Sequence, residues 1–195
     1  MRPLTLACSL PLLLGPVVFA ARAAGPKEPL DDPRDPALEQ RFLATYAELA
    51  EARYRAIHGA ARELAACLEA LVDQPSEQRL GAARSAWCRA RELYGTSEAL
   101  RFYGGPIDDP RDGVEALLNA WPVDESYIDG HPAAPGTGLV GDPRLLPHID
   151  PRALELLNQR GGETHVATGW HAIEFLLWGV DSDPDGPGQR AHTDF

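Results

Sequence analysis

The 195-residue chain sets 18 Lys and Arg against 29 Asp and Glu, a formal charge of -11. A surface this acidic excludes nucleic acid and anionic membrane as partners, since both would repel it. The length suits one domain with a real core.

Residues 1–23 read as a signal peptide. Arg2 gives a positive start, Leu4 to Ala20 is almost wholly apolar, and Ala21-Arg22-Ala23 offers small residues for cleavage. Pro11, Gly15 and Pro16 interrupt the run, which is short for a membrane span. Cys8 precedes most of the apolar run instead of ending it, which argues against lipidation there. The expected product is an exported domain over 24–195, located in the periplasm or cell envelope, and loss of Arg2 and Arg22 takes its charge to -13 from -11. Cys67 and Cys88 are then its two cysteines. An oxidising compartment permits a bridge between them, with buried free thiols as the alternative.

Asp35-Pro36 reads as a helix start, a capping carboxylate followed by proline at the first helical position. Leu43, Tyr46, Ala50, Ile57, Ala60, Leu64, Cys67 and Leu71 follow at helical spacing, which predicts one long helix to about Asp73. Pro75 interrupts it. Ser76 caps a second helix, in which Leu80, Ala83, Trp87, Ala90 and Tyr94 form a packing seam that ends at Gly95. Together these predict an antiparallel hairpin, half of a helical bundle.

Short helical stretches are expected at Ser97–Tyr103, Asp112–Ala120 and Asp124–Asp129, then a long glycine- and proline-rich loop over Gly130–Pro151. Asp150-Pro151 restarts a helix through Leu157. Thr164 is the expected cap of the last helix and Gly179 its end. Asp181 to Phe195 reads as a turn-rich tail with no helix to pack it down. Strand alternation and internal repeats are both absent. The fold class is all-α.

The chemistry concentrates in Ala167–Gly179, which is apolar nearly all round and holds two ionisable residues, His171 and Glu174. Their i, i+3 spacing places both side chains on one helix face. A carboxylate sealed among apolar neighbours needs a cation, an arginine or several donors. Imidazole nitrogen and carboxylate oxygen together suit zinc or iron. A plain His–Glu pair tying helices together is the structural alternative. Gly169, with no side chain, would let another backbone or a ligand come close. Upstream, Arg101 is a candidate to neutralise Glu174, Glu98 a candidate third ligand, and Asp108 a carboxylate that the Gly104-Gly105-Pro106 turn could project inward.

These segments resemble the imelysin family, which includes iron-regulated protein A. The likeness rests on Ala86-Trp87 to Arg91 with Tyr94, on Ser97-Glu98 and Arg101-Phe102 with Gly105-Pro106-Ile107-Asp108, and on Asn119-Ala120-Trp121-Pro122 with Asp124-Glu125. Its strongest piece is Gly169-Trp170-His171-Ala172-Ile173-Glu174-Phe175-Leu176-Leu177-Trp178-Gly179, which carries the family's Gly-x-His-x-x-Glu motif. Gly186-Pro187-Gly188 and Thr193-Asp194-Phe195 extend it.

The resemblance implies a bacterial envelope protein of iron or haem acquisition, with a helical site that includes the motif. The motif is also similar to that of periplasmic components of ferrous-iron uptake, where it is implicated in metal binding. Family members usually continue past the Thr-Asp-Phe point with further helices that close the site. Here the sequence stops at Phe195, so the expectation is either a truncated product lacking the family's C-terminal half or a second chain or envelope uptake partner that supplies that wall, with apolar faces exposed meanwhile.

Three readings follow. A metal-binding protein, holding iron, zinc or a haem-related ligand, is preferred. A metallopeptidase is the alternative that the family's classification implies, although Phe175 follows Glu174 and neither His-Glu-x-x-His nor His-x-x-Glu-His occurs. A structural or interaction domain is the third.

Overall fold

In the computed structural model, which describes residues 35–130, 136–182 and 185–195, the chain enters its first helix at Asp35. The Asp35 carboxylate accepts from the Ala37 amide at 2.9 Å and Pro36 opens α1, Pro36–Asp73. Ser76 caps α2, Glu77–Gly95, by accepting from the Arg79 amide at 3.3 Å. The Arg79 guanidinium reaches back to the carbonyls of Ala70 (3.0 Å) and Gln74 (2.8 Å), satisfying the open end of α1. One side chain therefore locks the turn of the predicted hairpin.

α1 has 38 residues and α2 has 19. At 1.5 Å per residue that is about 57 Å against about 28 Å. Ile57, Leu64 and Leu71 of α1 pack with Leu80, Ala83, Trp87, Ala90 and Tyr94 of α2. Leu71 and Leu80 are wholly buried, each stabilising by roughly 2 kcal/mol. The seam does not extend through Leu43, which is exposed, because α2 ends before it can cover that part of α1.

Short elements follow: a 3-10 turn at Glu98–Leu100, α3 at Glu115–Asn119 and α4 at Glu125–Ile128. The stretch expected to be loop contains α5, Gly138–Gly141, whose Leu139 packs with Leu146 and Ala167. α6 spans Pro151–Leu157, capped by Asp150 as predicted. The last α-helix, α7 at Gly169–Trp178, starts later than expected. Its N-cap position is Thr168, not Thr164, because Asn158 pins the approach, accepting from the amides of Ala167 (2.9 Å) and Thr168 (3.3 Å). Thr164 instead gives its carbonyl to the Asp124 amide at 2.8 Å. All helix and no strand is found among the described residues, as predicted.

The tail corrects another expectation: it is packed down. Gly188 lies so close to the end of α7 that a Cβ there would stand 2.6 Å from the carbonyl oxygens of Trp178 and Gly179. The Arg190 amide donates to Trp178 O at 2.8 Å, and the Arg190 guanidinium reaches Asp129 at 2.8 Å. Arg84 of α2 donates to Leu177 O (3.1 and 2.9 Å) and to Arg190 O (2.9 Å), so a cation closes the negative end of α7. Replacing Arg84 with alanine is expected to destabilise by about 2 kcal/mol, since these bonds are charge-assisted and part-buried. Urea unfolding checks this, and a midpoint equal to that of the parent would remove Arg84 from the account. The putting together of α1, α2, α7 and tail needs no disulfide: Cys67 and Cys88 are both free, and Cys88 is exposed instead of buried. The signal-peptide region lies outside the described residues.

Candidate functional site

α7 is buried on two faces and open on a third. Trp170, Ile173 and Leu177 pack toward α1 and α2, while Ala172, Phe175 and Leu176 pack with Ala120, Ile128 and Val166. His171, Glu174 and Trp178 are left facing a cleft of about 420 Å³, whose walls include Trp87, Cys88, Trp121 and Phe175. Gly169 sets this arrangement at its root. Its φ is +86°, and a Cβ there would stand 2.4 Å from Leu118 O of α3. Of the two uses expected for this glycine, close approach of another backbone is therefore the one realised. The Thr168 hydroxyl adds a bond to Leu117 O at 2.8 Å.

Within the cleft, His171 Nδ1 lies 3.1 Å from Glu174 Oε2, so the i, i+3 pair meets as predicted. The Trp121 indole lies against the imidazole, with ring centroids 4.8 Å apart and planes tilted by 55°. The His171 side chain is 15 % exposed but Glu174 is 44 % exposed. The expectation of a sealed carboxylate thus fails for Glu174. Helix α7 is apolar nearly all round, but its third face carries only a partial cover, so water reaches the carboxylate and no cation is obligatory there.

The upstream candidates have other partners. Arg101 pairs with Glu115 of α3 and, at 3.5 Å, with Glu98. Neither Glu98 nor Arg101 lines the cleft, and Arg101 is not the counter-charge of Glu174. The reason is local: α3 brings Glu115 to the buried guanidinium, and Glu115 also accepts from the Tyr94 hydroxyl and, at 3.2 Å, from Asn119 Nδ2. Burial pushes the Tyr94 hydroxyl above its ordinary pKa, which keeps it a donor. Asp108 serves its own loop, accepting from the amides of Phe102, Tyr103 (3.1 Å) and Gly105 (2.9 Å). It does not line the His171 cleft. Among the other histidines, His165 stacks on Tyr127 and His192 pairs with Glu77 at 3.4 Å. His131 lies outside the described residues.

Two donors therefore meet, and Glu125 and Asp181 line the same cleft. Among the described residues no group of three or more His, Cys, Asp or Glu side chains is set to hold a metal ion. The donor chemistry suits iron or zinc, but the ligand count falls below the three protein ligands of a catalytic zinc site. Sequence reasoning gave no site role to Trp121 or Trp87. Both stand within the motifs that carry the family resemblance, but the placing of Trp87 on the cleft depends on the crossing of α2 and α7, where its Nε1 donates to Trp170 O at 2.9 Å.

No curated protein sequence matches the chain. The family model described as Imelysin (Peptidase_M75) matches residues 50–195, which include the C-terminal part of α1, all of α2, the cleft and the whole of α7. With an all-helical fold and a model covering most of its length, the chain belongs to the imelysin family.

Proposed function

We infer that the chain is an exported cell-envelope protein that binds a metal ion, iron before zinc, through His171 and Glu174 as part of iron acquisition. The observation that carries the reading is the 3.1 Å approach of His171 Nδ1 to Glu174 Oε2 at the foot of an aromatic-walled cleft. His171 and Glu174 would hold the ion, and the carboxylates of Glu125 and Asp181 at the same cleft favour a cation there. The part-buried imidazole is held in place by Trp121, so one ligand is preorganised. Export rests on the apolar run from Leu4 to Ala20. A haem-related ligand and an envelope uptake partner belong to the same proposal.

Peptidase activity takes second place. Zinc peptidase sites use three protein ligands and an open position for water, whereas two donors meet in this cleft.

The test is metal analysis of the purified protein, followed by iron and zinc titration of the parent, His171→Ala and Glu174→Ala. Binding by the parent, weakened at least about tenfold in each variant, is the expected result. Equal metal content and affinity in all three proteins would defeat the assignment. Cleavage of peptides that chelators abolish would transfer it to the peptidase reading.

A further inference from the structure

The packed seam of α1 steps through Ile57, Leu64 and Leu71. Carried back toward the N-terminus at the same spacing of three and four, it passes Arg53, Ala50, Tyr46, Leu43 and Glu39. α2 does not reach this half, and Leu38 (62 %), Phe42 (66 %), Leu43 (56 %) and Leu49 (56 %) are exposed on or beside the seam. The opposite side of the helix carries Arg41, Glu48 and Arg55, the last paired with Glu51 on the flank between the two sides. One side is therefore a solvated charged surface and the other is built to be covered.

We propose that a second copy of this chain covers it, with the two α1 helices antiparallel and a two-fold axis beside Tyr46. The charges single out this occupant. Glu39 and Arg53 are the charged residues on the seam here, they are opposite in sign, and they stand at equal distances on either side of Tyr46. Neither has an ion-pair partner among the described residues. The two-fold sets Glu39 of each copy opposite Arg53 of the other, so the pairing is made twice and closes on itself.

The same register places Phe42 opposite Ala50. Ala50 borders an apolar cleft of about 530 Å³ lined by Tyr46, Tyr54, Leu100, Tyr103 and Ile107, which has room for the phenyl ring of the second copy. Counted in both copies, Phe42 and the three exposed leucines offer on the order of 1,000 Å² of side-chain surface, near the lower end for a specific dimer. This surface is separate from the His171 cleft, so the inference stands apart from the metal reading.

Sedimentation equilibrium of the purified full chain tests it. The parent is expected to dimerise at micromolar concentration, with Phe42→Asp and Glu39→Arg each weakening association by at least about tenfold. Combining Glu39→Arg with Arg53→Glu should restore dimerisation, an outcome that general loss of apolar surface would not give. Circular dichroism verifies that each variant is folded. A parent that stays monomeric at about 100 µM overturns the proposal. A double variant as weak as Glu39→Arg alone overturns the antiparallel register.

Discussion

Gly169→Ala is expected to lose about 3 kcal/mol of stability and to displace His171 from the cleft. Two penalties act together. An alanine must adopt φ near +86°, where an L side chain is strained by roughly 1 kcal/mol or more. Its Cβ would also stand 2.4 Å from Leu118 O, 2.6 Å from Leu118 C and 2.8 Å from Leu117 O. All three are backbone atoms, so no side-chain rotation relieves the contact. The N-terminal end of α7 must move off α3, which also breaks the bond from the Thr168 hydroxyl to Leu117 O. Trp170 and Leu177 would be pulled from the α1–α2 core by the same shift. Urea unfolding gives the stability and metal titration the site geometry. A variant as stable as the parent would mean that α3 and α7 do not approach as described.

Glu115→Ala should be nearly as damaging, at about 2–3 kcal/mol. The Arg101 side chain is 10 % exposed, and Glu115 is its close counter-ion, with the Glu98 carboxylate on an exposed side chain at 3.5 Å. Removing one member of a buried pair leaves a charge that water cannot adequately solvate. Glu115 is itself partly exposed, which keeps the expected loss below that of a fully sealed pair. Three donors lose their acceptor in one step: the Arg101 guanidinium, the Tyr94 hydroxyl and Asn119 Nδ2. Glu115→Gln keeps oxygen and shape without the charge, and should cost roughly half as much. Equal losses in the two variants would show that charge alone, and not shape, governs this cluster. Metal affinity is expected to change little in Glu115→Gln, because the network does not line the cleft.

The contrast between these two positions explains what the sequence made legible. The bounds of α1 and α2 follow from chemistry within four residues of each end, Asp35 with Pro36 and Ser76 with Arg79, so they can be read locally. The His171–Glu174 pair is equally local, fixed by one turn of helix. Arg101 finding Glu115 is not local: a loop brings the two together, and the nearer Glu98 offered an equally plausible pairing along one turn. The exposure of Glu174 depends on which faces of α7 other elements cover, information that an apolar composition does not contain. The docking of the tail was hidden for the same reason, since Arg84 lies 93 positions before the carbonyl that it caps. Gly138–Gly141 folds as a short helix within a stretch whose glycines and prolines read as loop, held by packing of Leu139 with Leu146 and Ala167.

The placing of the indoles has a practical side. The chain has four tryptophans; Trp87, Trp121 and Trp178 border the cleft, and Trp170 precedes His171 in the same helix. The indole emission of the folded protein therefore originates at the walls of that cleft and in the helix that carries His171, with the Trp121 ring 4.8 Å from the imidazole. Should the proposed open-shell ion settle beside that ring, quenching of the indoles is expected to report it, an optical gauge of occupancy that needs no label.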